Sequence, residues 1–287
     1  MNKPRYNEII FTNEQEIDII QSYLNGLSSV KIGKKYNVDH KTILKVLHKN
    51  GIEVCQKKMV RKYRVNENYF DMIDTPNKAY ILGFLYADGH NGISKSTLTM
   101  SLQEEDKKIL EDIRKELESE KPLDYLDYSN KNNFGYSYKN QYRLNVFSKH
   151  ICESLEKIGM VSNKSLVLQF PKISKELYPH FIRGYYDGDG SIYQQIKNEN
   201  NHAVTITITS TESFCESLVN ICKEELNIEP KIYDASCHNG TTKVFTISGR
   251  NICKIFLKWI YEDADLYLER KYKRYLDYYN INNSLIA

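Results

Sequence analysis

Apolar positions recur at helical spacing through the first fifty residues. Thr12 followed by Gln15 predicts a capping box. Ile17, Ile20 and Leu24 then mark a helix, which Asn25-Gly26 ends. A second, short helix is expected after Ser28, with Ile32 and Tyr36 one turn apart and facing inward, broken at Asn37. Asp39 caps a third helix that carries Ile43, Leu44 and Leu47 and stops at Gly51.

From Tyr69 onward the pattern changes. A helix is expected over roughly Lys78 to Tyr86. Thr97 to Gln103, "TLTMSLQ", alternates like a strand. Glu104 to Leu117 reads as an amphipathic helix. "LDYLDYS" and "QYRLNVFS" read as strands, and "KHICESLEKIG" as a helix. The same order then recurs. "SIYQQIK" and "HAVTITITS" are expected strands, "ESFCESLVNICKEEL" a helix, "KIYDASC" and "KVFTISG" strands, and "RNICKIFLKWIY" a helix. "LNVFSKHIC" (144–152) and "FTISGRNIC" (245–253) lie 101 residues apart. Two halves of about a hundred residues thus repeat one α-β-β-α-β-β-α unit, a duplication and not a solenoid. The expected division is 1–54, a basic linker 55–68, a first half 69–172 and a second half 173–287.

Composition adds little until it is divided. The 287 residues carry a net charge of only +3. Residues 1–68, however, hold thirteen Lys/Arg against seven Asp/Glu, and the remainder is slightly acidic. A basic N-terminal module suits an acidic partner. Its third helix would present His40, Lys41, Thr42 and Lys45, with Lys49 at its end. Lys57, Lys58, Arg61, Lys62 and Arg64 follow in a stretch with little apolar pattern, either a solvated linker or a segment tracking a phosphate backbone. The six cysteines (Cys55, Cys152, Cys215, Cys222, Cys237, Cys253) have no CxxC spacing and are expected to be reduced thiols. No apolar run approaches the ~20 residues of a membrane span. The expected location is cytoplasmic, or the interior of an organelle or phage host, and not secreted. The 23 tyrosines are as readily a mark of an AT-rich genome as of function.

Two segments carry the chemistry. "YILGFLYADG" (80–89) and "FIRGYYDGDG" (181–190) are apolar stretches that end in aspartate and glycine, with Asp88 and Asp189 again 101 residues apart. Gly83 and Ala87, and likewise Gly184 and Gly188, are spaced i,i+4 and share one helix face. Two such helices can approach backbone to backbone, bringing Asp88 and Asp189 together. Carboxylates forced close repel unless a cation shares them. Oxygen donors with water suit Mg2+ (or Mn2+). Such a site beside a phosphodiester can activate water and stabilise a leaving oxygen. A single Asp-Gly is an ordinary turn; two copies with matching small residues upstream are not.

Over roughly Tyr69 to Tyr278, these motifs and the repeated order resemble the LAGLIDADG homing endonuclease family. The resemblance implies an α+β pseudo-dimer, a duplicated α-β-β-α-β-β-α fold whose motif helices form the central interface. It implies curved antiparallel sheets in the DNA major groove and a double-strand break with short 3′ overhangs. Asp88 and Asp189 would be the catalytic, metal-binding acids. Lys164 in "SNKSL" and Lys271 in "LERKYKRY" would be the basic residues near the site, and Gln103 the polar residue at the end of the second strand, with Ser210 its weaker counterpart. Tyr86 stands where the second motif keeps Asp187, a position expected to be peripheral. Residues 1–54 resemble a resolvase-type helix-turn-helix, a small all-α domain outside the family's core fold, whose third helix would enter the major groove. The alternative there is a plain three-helix bundle with a solvated basic face.

The reading is a freestanding, monomeric, site-specific endonuclease for double-stranded DNA with a long asymmetric target. The alternative is a non-cutting nucleic-acid binder on the same scaffold, an intron RNA maturase or a transcription regulator. The alternative for Lys164 and Lys271 is an ordinary surface lysine; His90 and His202, metal ligands if taken in isolation, are read as ordinary polar residues near DNA or solvent.

Overall fold

The computed structural model describes residues 9, 11–54, 62–128, 132–133, 136–162, 164–198, 201–235 and 242–283. The chain divides into two units, Met1–Lys62 and Tyr63–Ala287.

The first unit holds α1 (Asn13–Leu24), α2 (Ser29–Lys35) and α3 (His40–Lys49). The expected caps are in place. Thr12 and Gln15 form a reciprocal capping box, Ser28 accepts from the Lys31 amide, and Asp39 accepts from the Lys41 amide. Ile19, Ile32, Ile43, Val46 and Leu47 form the core. The face of α1 differs from expectation: Ile17 and Leu24 are 55% and 67% exposed, and Ile19 is the buried residue. Ile17, Ile19 and Ile20 crowd one turn, so spacing alone does not choose which of them faces in. The turn between α2 and α3 is tight. A methyl group at Gly33 would press on the Val38 carbonyl, and Asn37 adopts the left-handed conformation that the turn requires.

The second unit opens with Tyr63–Thr75 laid along the first half. Residues 64 and 66 exchange backbone hydrogen bonds with residues 117 and 120. Then come α4 (Pro76–Asp88), β1 (Gly89–Gly92), β2 (Thr97–Gln103), α5 (Lys107–Glu116), β3 (Asp124–Leu126), a small hairpin of β4 (Asn132–Asn133) and β5 (Tyr136–Ser137), β6 (Gln141–Phe147) and α6 (Lys149–Ile158). The second half follows with α7 (Tyr178–Asp189), β7 (Gly190–Asn198), β8 (Asn201–Ser210), α8 (Glu212–Leu226), β9 (Lys231–Asp234), β10 (Lys243–Ser248), α9 (Arg250–Tyr261) and α10 (Glu269–Asn283).

The two halves build sheets of equivalent order, β1-β2-β6-β3 and β7-β8-β10-β9, with antiparallel neighbours throughout. This is the duplicated α+β fold expected from the repeat. One face of each sheet is apolar and packs on helices. Leu98, Met100, Leu144 and Val146 point inward in the first half, and Val204, Ile206, Ile208, Phe245 and Ile247 in the second. The alternating Thr, Ser, Arg and Asn positions face out.

Between the halves, α4 and α7 pack against each other. Residues 79–86 of α4 are buried on every side, as befits a helix at the centre of a core. Cys152, Cys215, Cys222 and Cys253 are free and buried, as expected of reduced thiols; Cys55 and Cys237 lie outside the described residues. No helix among the described residues is long and apolar enough to cross a membrane.

Candidate active site

The four small residues of the motif helices do what their spacing implies. A methyl group on Gly83 would collide with the carbonyl of Phe181, and one on Gly184 with the carbonyl of Tyr80. Phe181 and Tyr80 are themselves 101 residues apart, so the contact is reciprocal across the pseudo-twofold axis. At the helix ends a methyl on Gly188 would strike the Ala87 side chain and come within 3.1 Å of the Asp88 carboxylate. The helix packing therefore sets Asp88 and Asp189 side by side as the last residues of their helices.

Both carboxylates keep an exposed edge. Packed protein on their other sides pushes the Asp88 carboxyl above its ordinary range. Asp189 is pushed up to about 6, first by that loss of solvent and then by the charge of Asp88. Lys164 and Lys271 oppose the rise in both.

These lysines are not loose surface groups. Lys164 Nζ donates to the carbonyls of Ala87 (3.1 Å) and Gly89 (2.6 Å). Lys271 Nζ donates to those of Tyr186 (2.6 Å), Gly188 (3.3 Å) and Gly190 (2.5 Å). Ala87 corresponds to Gly188 and Gly89 to Gly190, so each lysine caps the end of its own half's motif helix. There the last carbonyls lack intrahelical donors, and the helix dipole favours a cation. Burial lowers the Lys164 ammonium from its usual value and brings Lys271 down to about 8, against the pull of Asp187, Asp189 and Asp88.

Asp187, expected to be peripheral, is fully buried. It accepts from the Tyr80 hydroxyl (2.9 Å), the Tyr261 hydroxyl (2.6 Å) and the Leu268 amide (2.8 Å). Burial raises its carboxyl, and the three donors pull the other way. It is thus a knot joining α4, α7, α9 and the segment entering α10. Tyr86, at the equivalent position, instead donates to the Ile158 carbonyl at 2.9 Å. Nearby Arg183 is also buried, donating to the carbonyls of Leu266 and Ile260. Sequence reasoning missed this knot. Only the polar residues inside two otherwise apolar helices signalled it.

The remaining candidates are spread out. Gln103 is exposed at the end of β2 and accepts from Lys139 at 3.1 Å; the structure does not bond it to either aspartate or lysine of the pair. Ser210 is buried and accepts from Tyr185 at 3.0 Å. His90 is exposed on β1, and the His202 side chain lies outside the described ones. In the first unit Lys41 and Lys45 are exposed on α3, with His40 and Thr42 half-exposed. Lys49 is held by Glu16 at 2.8 Å. Lys57, Lys58 and Arg61 lie outside the described residues. Lys62 is exposed, and Arg64 is 90% exposed beside Glu120.

Among the described residues no cluster of three or more His, Cys, Asp or Glu forms a ready-made metal cage. Two carboxylates and no third protein ligand are nevertheless a donor set that Mg2+ accepts, because it keeps several waters and takes oxygens from phosphate. The charge repulsion that raises Asp189 is what a shared cation would relieve.

DNA-directed RNA polymerase subunit Rpo1C of Methanocaldococcus jannaschii is 29% identical over 134 residues, 46% of this chain and 14% of that protein. tRNA-splicing ligase RtcB of Pyrococcus abyssi is 25% identical over 206 residues, 65% of this chain and 22% of that protein. The chain spans less than a quarter of the length of either. Similar solved structures include the LAGLIDADG meganuclease I-AabMI bound to uncleaved DNA, 15% identical with a TM-score of 0.48 over 74% of this chain and 91% of that one. The meganuclease I-SmaMI bound to uncleaveable DNA is 12% identical with a TM-score of 0.46 over 71% and 88%. Residues 176–260 match the family model described as a LAGLIDADG-like domain. That segment holds the second motif helix, its aspartate and the sheet that follows, and the chain therefore carries a LAGLIDADG-like domain.

Proposed function

We propose that the chain is a site-specific double-strand DNA endonuclease that uses a divalent metal, Mg2+ or Mn2+, held by Asp88 and Asp189. The observation that supports this most is the carboxylate pair at two apposed helix ends, each end fastened by its own lysine. The metal, when bound, would supply Lewis-acid polarisation of a phosphodiester and ready ionisation of water. The chain's own residues do the rest. The helix pair fixes the spacing of the carboxylates. Lys164 and Lys271 hold the helix ends rigid and put positive charge where a phosphate would gather negative charge. Gln103 is a polar group for the substrate backbone or a water. The polar faces of the two sheets lie along DNA, and exposed Lys41 and Lys45 on α3 of the first unit, with Arg64 beyond it, add phosphate attraction. Two unlike halves in one chain suit a monomer on a long asymmetric site.

The test is cleavage by the full chain, in Mg2+ and in Mn2+, of a plasmid carrying the host locus without this gene. Linear product that disappears on adding EDTA supports the reading. Sequence-specific binding with no cutting in either metal supports instead a non-cutting binder on the same scaffold.

A further inference from the structure

We infer that the two sheets read DNA with opposite chemistry, the first half selecting guanine through Arg143 and the second selecting thymine through Val244 and its neighbours. The inference rests on the nucleic-acid reading above, and it comes from comparing equivalent rows of side chains across the two outward sheet faces.

In the first half, Arg143 of β6 stands opposite Ser101 of β2 on one side and Asp124 of β3 on the other. Arg143 and Val244 are 101 residues apart, the offset that relates the halves. Val244 of β10 stands opposite Thr209 of β8 and Tyr233 of β9. The row Ser101–Arg143–Asp124 thus becomes Thr209–Val244–Tyr233. In the neighbouring row, Thr99–Asn145 becomes Thr207–Thr246, of which Thr246 is buried. An ionic and amide surface is replaced by hydroxyls, methyls and a ring.

The first-half row is pre-arranged. Arg143 Nε donates to Ser101 Oγ at 2.8 Å, which fixes the guanidinium plane. Among the described residues, no other hydrogen bond occupies Arg143. Its two terminal nitrogens are left for an outside acceptor. Asp124 does not consume them. It is paired with Lys121 at 2.6 Å and accepts from Asn145 Nδ2 at 2.7 Å, while Asn145 Oδ1 accepts from Thr99 at 2.9 Å. A held arginine with a free fork matches the O6 and N7 acceptors of guanine in the major groove.

The second-half row offers no such donor fork. Tyr233 is 52% exposed, Thr209 is exposed and Val244 is half-buried. Ser191 and Thr207 share one hydrogen bond at 2.8 Å. This surface of methyls and single hydroxyls has no paired donor fork to span guanine O6 and N7. It does fit the C5-methyl of thymine.

The test is selection of bound duplexes from a randomised pool, using the full chain without divalent metal, so that binding and not cutting is read. Three proteins are compared: the unaltered chain, Arg143→Ala and Val244→Arg. The unaltered chain should select G·C at one position of one half-site and A·T at its pseudo-symmetric position. Arg143→Ala should relax the first position alone, losing roughly 5- to 150-fold discrimination. Val244→Arg should move the second position toward G·C. The same base preference at both positions in the unaltered chain, or a guanine preference that survives Arg143→Ala, overturns the inference while leaving the nucleic-acid reading intact. Failure of the unaltered chain to enrich any sequence overturns both.

Discussion

Gly83 and Gly184 face each other's helices so closely that neither has room for a side chain. Each lies against a carbonyl of the opposite helix, Gly83 against Phe181 and Gly184 against Tyr80. This contact sets the distance between α4 and α7, and through it the distance between Asp88 and Asp189.

Gly83→Ala or Gly184→Ala should therefore force the helices apart against a packed core. The obstacle is backbone, which cannot rotate away as a flexible side chain would. We expect a loss of about 3 kcal/mol or more, the upper end for overpacking. Calorimetric melting measures it. An unchanged melting temperature would mean that the two halves do not depend on this contact.

The carboxylate pair should be coupled in opposite directions by its neighbours. Asp88 raises the Asp189 carboxyl, and Lys164 lowers it. Starting from about 6, Asp189 should titrate lower in Asp88→Asn and higher in Lys164→Met. Carbon-13 NMR of the carboxyl, in metal-free protein, reads both shifts. Movement in the same direction in the two variants would contradict the arrangement.

Stability should follow the same carboxylate. Its folded-state pKa is raised above the ordinary 3.8, so the folded chain holds the proton more tightly than the unfolded chain. The associated stability is complete below pH about 4 and is lost as pH rises through about 6. Metal-free protein should thus lose stability across that window relative to Asp189→Asn. Mg2+ should restore it in the unaltered chain by binding the folded state. Denaturant melts at pH 4.5 and pH 7.5 supply the comparison, and an equal pH dependence in the two proteins would refute it.

In the first unit, the exposed lysines of α3 should act on phosphates. Lys41→Ala and Lys45→Ala should each reduce the slope of log affinity against log salt by about 0.9. Binding titrations between low and moderate salt measure this. Unchanged slopes would favour a three-helix bundle whose basic face meets only solvent.

Much of this was legible in the sequence because it rests on local pattern. Helix α8 over Glu212–Leu226 and α9 over Arg250–Tyr261 have the bounds their apolar periodicity predicts. Gly83, Ala87, Gly184 and Gly188 foretold the close helix approach. What was not legible depends on partners far along the chain. Asp187 looked peripheral because its three donors come from Tyr80, Tyr261 and Leu268, dozens of residues away. Lys164 and Lys271 were legible as candidates, but their use as caps on the helix-end carbonyls needed the fold. The choice of Ile19 over Ile17 as the buried residue of α1 needed α2 and α3 in place. The contrast between Arg143 and Val244 needed strand register, since neither residue is distinctive until its row is known.

The central claim is that Asp88 and Asp189 together support metal-dependent cutting of both DNA strands. The most direct measurement follows a cognate plasmid in Mg2+ with the unaltered chain, Asp88→Asn and Asp189→Asn, alongside binding to the same site without metal. The unaltered chain should give linear product. Each variant should lose double-strand cutting by orders of magnitude while binding within a few-fold, because neither substitution alters the sheets proposed to hold DNA. Full cutting by either variant would contradict the account.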